Sequence, residues 1–193
     1  MRILRIFIFI VFALQGAARA QFDSTLTIHR FQKTPVFDGL LTETAWQNAT
    51  MVPLVSSYPN ENAKPSEKTE VRIGYNDEYI FVGGHFFTED VLDIQANSLT
   101  RDKAASSDDM FGFILDTFND NENALAFMTT PTGIRLDQTV FNDAEIISDV
   151  MPINESWNTF WDVKTKTTEE GWFMEMRIPF SSLRFQDVDG HVS

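Results

Sequence analysis

From Trp172 to Ile178 the chain alternates with a period of two. Trp172, Met174, Met176 and Ile178 fall on one side, and Phe173, Glu175 and Arg177 on the other. A strand separates such residues onto opposite faces, and a helix does not. The apolar face then has to be covered by a second layer. Related runs recur upstream. Val71, Ile73 and Tyr75 point one way against Arg72 and Gly74, while residues 79–87 are apolar on both faces and read as a central strand. Asn76-Asp77 between them is a hairpin signal. Residues 110–117, 124–130 and 134–141 predict three further strands, joined by Asn119-Asp120-Asn121-Glu122-Asn123 and by Pro131-Thr132-Gly133, both of hairpin length. Ile28 and Arg30 belong to a first edge strand, and 51–58, which contains Pro53, suits only a sheet edge. Residues 88–107 form a charged excursion with a helical turn. The sum is an all-β chain: an antiparallel β-sandwich of immunoglobulin or jelly-roll type with short helical turns.

Before these strands stands Phe37-Asp38-Gly39-Leu40-Leu41-Thr42-Glu43-Thr44-Ala45-Trp46. Asp38-Gly39 supplies the left-handed backbone that a sharp turn needs. Thr42 is placed to cap a short helical turn, with Glu43 at the positive end of its dipole. Trp46 reads as a buried anchor and not as a binding platform.

Residues 1–20 read as a secretory signal peptide. Arg2 and Arg5 precede an apolar run over 6–14, and Ala18-Arg19-Ala20 offers a small-residue cleavage site. The expected location is therefore exported: periplasm, outer membrane or extracellular space. Residues 21–193 form one domain. There is no cysteine, so disulfides, thiolate metal sites and a cysteine nucleophile are excluded. The 18 phenylalanines supply large side chains for a sandwich core. A net charge of −13 argues against nucleic acid and anionic membranes as partners. It permits neutral sugars and divalent cations.

Sugar binding needs flat aromatic rings beside polar groups, and the two aromatics best placed for that are Trp157, after a loop with Pro152, and Tyr58. Trp161 and Trp172 belong in the core by their alternation. Arg101-Asp102 is either an ion pair that fixes its loop or a ligand contact. Asp116, Asp120, Asn121 and Asn123 concentrate oxygen donors suited to calcium. The competing reading is a turn whose Asn and Asp side chains cap their own backbone. No catalytic constellation is identifiable: His29, His85 and His191 are scattered and fit no triad or metal spacing. The chain reads as a non-enzyme.

The ordered motifs Phe37-Asp38-Gly39…Glu43…Ala45-Trp46…Ala49, Tyr79-Ile80-Phe81-Val82-Gly83, Arg101-Asp102 and Leu115-Asp116-Thr117 continue through Pro131-Thr132-Gly133, Trp161-Asp162 and Glu175-Met176-Arg177-Ile178-Pro179-Phe180. In that order they resemble the family 9 carbohydrate-binding module, in the version found at the N-terminus of large bacterial cell-envelope proteins with an uncharacterised β-rich C-terminal region. The resemblance implies an N-terminal fragment, truncated at its C-terminus, whose partners are a glycan or sugar end and the remainder of its own full-length protein. It also implies structural calcium. Sugar-binding members clamp a sugar between two Trp side chains. Ala104-Ala105-Ser106-Ser107 stand where the first is expected, the second falls beyond Ser193, and the accompanying carboxylate and arginine align with Gly112 and Met128. Two functions follow. One is a non-catalytic module that targets a larger envelope protein to a glycan, and the other is a structural or interaction domain of an outer-membrane-associated protein that has lost sugar binding.

Overall fold

A computed structural model describes residues 26–54, 65, 67–145 and 152–183, and the backbone of two short strands at 187–188 and 191–192. The leader segment 1–20 and Tyr58 lie outside the described residues. The strands are β1 (His29–Arg30), β2 (Thr50–Val52), β3 (Thr69–Tyr75), β4 (Tyr79–Phe87), β5 (Phe111–Leu115), β6 (Ala124–Thr129), β7 (Arg135–Val140), β8 (Ile153–Asn154), β9 (Asp162–Thr168), β10 (Gly171–Pro179), β11 (Asp187–Val188) and β12 (His191–Val192). One sheet runs β1-β3-β4-β10-β9, with β2 sharing the β3 edge, and a second runs β5-β6-β7-β8; β11 and β12 pair with each other. Among the described strands all pairings are antiparallel except β1 with β3, a parallel contact of two residues that the sequence does not announce. The strand expected over 51–58 covers only Thr50–Val52 in the described chain, and Pro53, which cannot donate to a ladder, follows it at once.

The two sheets enclose the main core. Val71, Ile73, Val82, Trp172, Met174, Met176 and Ile178 meet Leu125 and Phe127, with Trp161 filling one end. Trp161 lies edge-on to Phe127 at 5.5 Å, so its core placement holds. The other face of the first sheet is also covered. Phe31, Trp46, Ala49 and Phe81 form a second cluster on it, with Leu41, Ala45 and Tyr79 at its rim. This third layer is the block at 37–46 folded down onto β4 and β10.

The block is held by a group that alternation alone assigns to a polar face. Glu175 is 0% exposed. Its Oε2 accepts from the backbone N–H of Asp38 at 2.7 Å and of Gly39 at 2.6 Å, and its Oε1 accepts from the Trp46 indole Nε1 at 2.9 Å. Gly39 has φ +91°, the left-handed value expected of it. The helical turn α1 (Thr44–Gln47) follows, but its cap departs from expectation. Glu43, and not Thr42, is the N-cap, with no side-chain bond to the turn. Glu43 takes that position because its extended backbone lets its carbonyl receive the Trp46 amide at 3.0 Å. His85 packs between Phe87 and Phe173 at ring separations of 3.6 and 3.7 Å, and burial lowers its pKa.

Close approach of this layer demands glycine on β4. A Cβ on Gly83 would lie 2.6 Å from Leu41 Cδ2 and 2.9 Å from the Trp46 ring. Trp46 cannot retreat without leaving Glu175. Gly83→Ala should therefore lower unfolding free energy by about 2 kcal/mol in chemical denaturation, as overpacking does. An unchanged midpoint would mean that the block does not bear on the sheet.

Candidate functional site

Sequence reading nominated an aromatic and an acidic turn separately, and the fold brings them to one place. A cleft of about 620 Å³ opens at the end of the second sheet where β5 turns into β6 and β7 into β8. Its aromatic walls are Phe118, Phe141 and Trp157. Asp120, Asn123, Thr139 and Asn154 supply its polar groups. Trp157 is half-buried, and its inner edge rests against Phe127 at 6.0 Å and 70°. An anchored ring with a remaining open surface is the form a stacking platform takes.

The turn at 116–123 is rigid for local reasons. Asn119 and Asn121 adopt φ of 51° and 56°, which asparagine tolerates better than most residues. Asp116 accepts from the amides of Phe118 and Asn121 at 3.0 and 2.9 Å. Asp120 Oδ1 accepts from Glu122 and Asn123 at 2.9 and 2.8 Å, and its Oδ2 from Asn123 Nδ2 at 2.8 Å. The Asn123 side-chain bond, followed by the two amides, holds the Asp120 carboxyl below its ordinary value. This is a self-capped turn. Its oxygens face their own amides, and among the described residues no three His, Asp or Glu side chains gather to suit a cation. In the set Asp116, Asp120, Asn121 and Asn123, both carboxylates accept from amides of their own turn, as the capping reading expects.

The residues that follow Trp157 are pinned to β7 and to Arg101. Asp137, buried in β7, accepts from the backbone N–H of Thr159 at 2.7 Å and from the guanidinium of Arg101. The same guanidinium reaches Asn158 Oδ1 at 2.6 Å and Asp102 at 3.3 Å. Arg101 thus joins the 88–107 excursion to β7 and to the loop carrying Trp157. Asp102 itself turns at φ 58°, with its amide on the Arg135 carbonyl at 3.1 Å. Arg101→Met should lower stability by about 2 kcal/mol, because it strips a buried carboxylate of its cation. Asp137→Asn, which keeps an acceptor for Thr159, should cost less. The reverse order in thermal melts would deny Arg101 this role. Asp137, Thr139, Phe141 and Asn154 were missed in the sequence. Only the acid at an inward position of β7 gave a usable signal.

No protein-family model and no curated protein matches the sequence. Solved structures do. A family 9 carbohydrate-binding module from Caldicellulosiruptor kristjanssonii, in complex with cellotriose, matches with a TM-score of 0.50 at 18% identity, over 79% of this chain and 66% of that one. A family 9 module from the same organism in complex with glucose gives 0.50 and 18%, over 79% and 68%. The fold is that of a family 9 carbohydrate-binding module. The chain spans just under two thirds of the first neighbour's length.

On this family 9 fold, Gly112 and Met128 are direct cross-strand partners. They share the outer face of the second sheet with Ile114, Ala126, Leu136 and Gln138, and Ile114 is 61% exposed. That face is smooth and apolar apart from Gln138. The resemblance expected a carboxylate and an arginine there, and the face carries neither. The Trp157 cleft, at the end of the same sheet, does bring aromatic and polar groups together.

Proposed function

We propose that this chain is a non-catalytic carbohydrate-binding domain whose sugar site is the Trp157 cleft. The observation that carries this is the meeting of a half-buried, anchored indole with Asp120, Asn123 and Asn154 in one cleft. The ring offers a face to the C–H side of a pyranose, and the amides and carboxylate offer partners to its hydroxyls. The family 9 neighbours solved with cellotriose and glucose support the reading. Residues 1–20 would export the domain to the periplasm, outer membrane or cell exterior, where it would hold a larger envelope protein on a glycan. Cello-oligosaccharide titrated into the mature protein should give a saturable change in tryptophan fluorescence. Flat curves across neutral oligosaccharides would overturn the proposal. A second reading, an interaction domain that has lost sugar binding, is favoured by the apolar Gly112–Met128 face and would be left standing by that result.

A further inference from the structure

The charge lining the cleft is one-sided, and Arg101, which reaches the loop carrying Trp157, is engaged by Asp137, Asp102 and Asn158. Between Lys103 and Lys164 the only basic residue is Arg135, and its guanidinium donates to the Trp161 carbonyl at 2.6 Å. Among the described residues no basic side chain lines the cleft, while Asp120 does. The turn after Phe141 is tied to the 116–123 turn by the Asp143 amide on the Glu122 carbonyl at 3.1 Å. The two turns therefore meet beside one opening, which Asp120 lines, while Asp116, Glu122, Asp143 and Glu145 lie on the same two turns outside its lining. A carboxylate has about four acceptor sites, and the bonds of its own turn occupy three on Asp120. One site is left for a ligand donor.

We propose that the Trp157 cleft selects sugars by charge, taking amine-bearing sugars of the glucosamine type ahead of neutral ones and rejecting uronates. This rests on the sugar-binding reading above. An ammonium on the ring would sit between the Trp157 face, which attracts cations, and the Asp120 carboxylate. A uronate carboxylate would meet the Asp120 carboxylate, with no cation among the described lining residues to receive it. Neutral sugars keep the stacking and hydroxyl contacts alone. The preference is electrostatic and partly exposed, so salt must weaken it.

The test is calorimetric titration of the mature protein with glucosamine oligomers, their N-acetylated counterparts, cello-oligomers and oligogalacturonates of equal length, in low and high salt. The expected result is about tenfold tighter binding of the amine oligomer than of its acetylated form at low salt, with no uronate binding. The gap should shrink in high salt, and in both Asp120→Asn and Glu122→Gln proteins that melt normally. Two variants are used because Asp120 also caps its turn. Equal affinity for amine and acetylated forms, or binding of the uronate, would overturn the charge preference while neutral binding upheld the site. Amine binding that survives Trp157→Ala would assign it to the diffuse charge of the chain and overturn the proposal as well. Absence of all binding would overturn both readings.

Discussion

Replacing Glu175 should do more damage than any other single change away from the main core. Glu175→Ala leaves the amides of Asp38 and Gly39 and the Trp46 indole N–H without an acceptor, inside a buried layer. Each unsatisfied donor costs about 1–3 kcal/mol, so a loss of about 4 kcal/mol is expected after relaxation. Glu175→Gln keeps the shape but turns an NH2 group toward N–H donors, and should cost about 2 kcal/mol. The pH dependence separates charge from shape. Burial pushes the Glu175 carboxyl above its ordinary value of 4.5, with the Gly39, Trp46 and Asp38 bonds pulling it partly back. A folded-state pKa above the unfolded one means that the folded chain holds the proton longer. This group's contribution is then greatest below the ordinary value and falls as pH rises through the interval up to the raised pKa. Asp108 and Asp120 have lowered values and act in the opposite sense, losing stability as pH falls. The difference between wild-type and Glu175→Gln denaturation curves isolates the Glu175 slope. A difference that is flat from pH 4 to 7 would contradict a buried, destabilised carboxylate.

Trp157→Ala should reduce affinity for a neutral oligosaccharide by about 10- to 100-fold, the range that removal of one aromatic stacking surface produces elsewhere. The residue also leans on Phe127, so some stability is lost with it. Trp157→Phe keeps an aromatic ring against Phe127 and should recover most of the stability and part of the binding. Trp161→Phe, which alters a buried ring that also packs on Phe127, should lower stability and leave affinity nearly unchanged. If the two indoles gave equal binding losses, the effect would be one of folding and not of contact.

The strands were legible wherever one face is buried against one partner. Trp172 to Ile178, Val71 to Tyr75 and the hairpin at Asn76-Asp77 all stand where period-two alternation and turn chemistry put them. Asn76 Oδ1 closes that hairpin by accepting from Glu78 and Tyr79 at 2.9 and 2.8 Å. Glu175 was not legible as a buried group. Alternation pairs it with Arg177 on an apparent solvent face, and only the third layer makes that face an interior. Its signal was indirect: Trp46, read as buried, carries an N–H that needs an acceptor. Trp157 could be singled out but its companions could not. Asp120 and Asn154 meet it through strand pairing of β6, β7 and β8, and no local pattern encodes which turns close over one another. Arg101 was left between two roles because its partner, Asp137, is 36 residues away in the chain.

Amide chemical-shift mapping with cellotriose tests the cleft most directly, since it reports position independently of affinity. Shifts should concentrate on the Trp157 indole N–H, the Asn123 and Asn154 side-chain amides and the backbone of Phe141. Shifts confined to Gly112, Ile114, Met128 and Gln138 would place the sugar on the outer sheet face and contradict the assignment of the cleft.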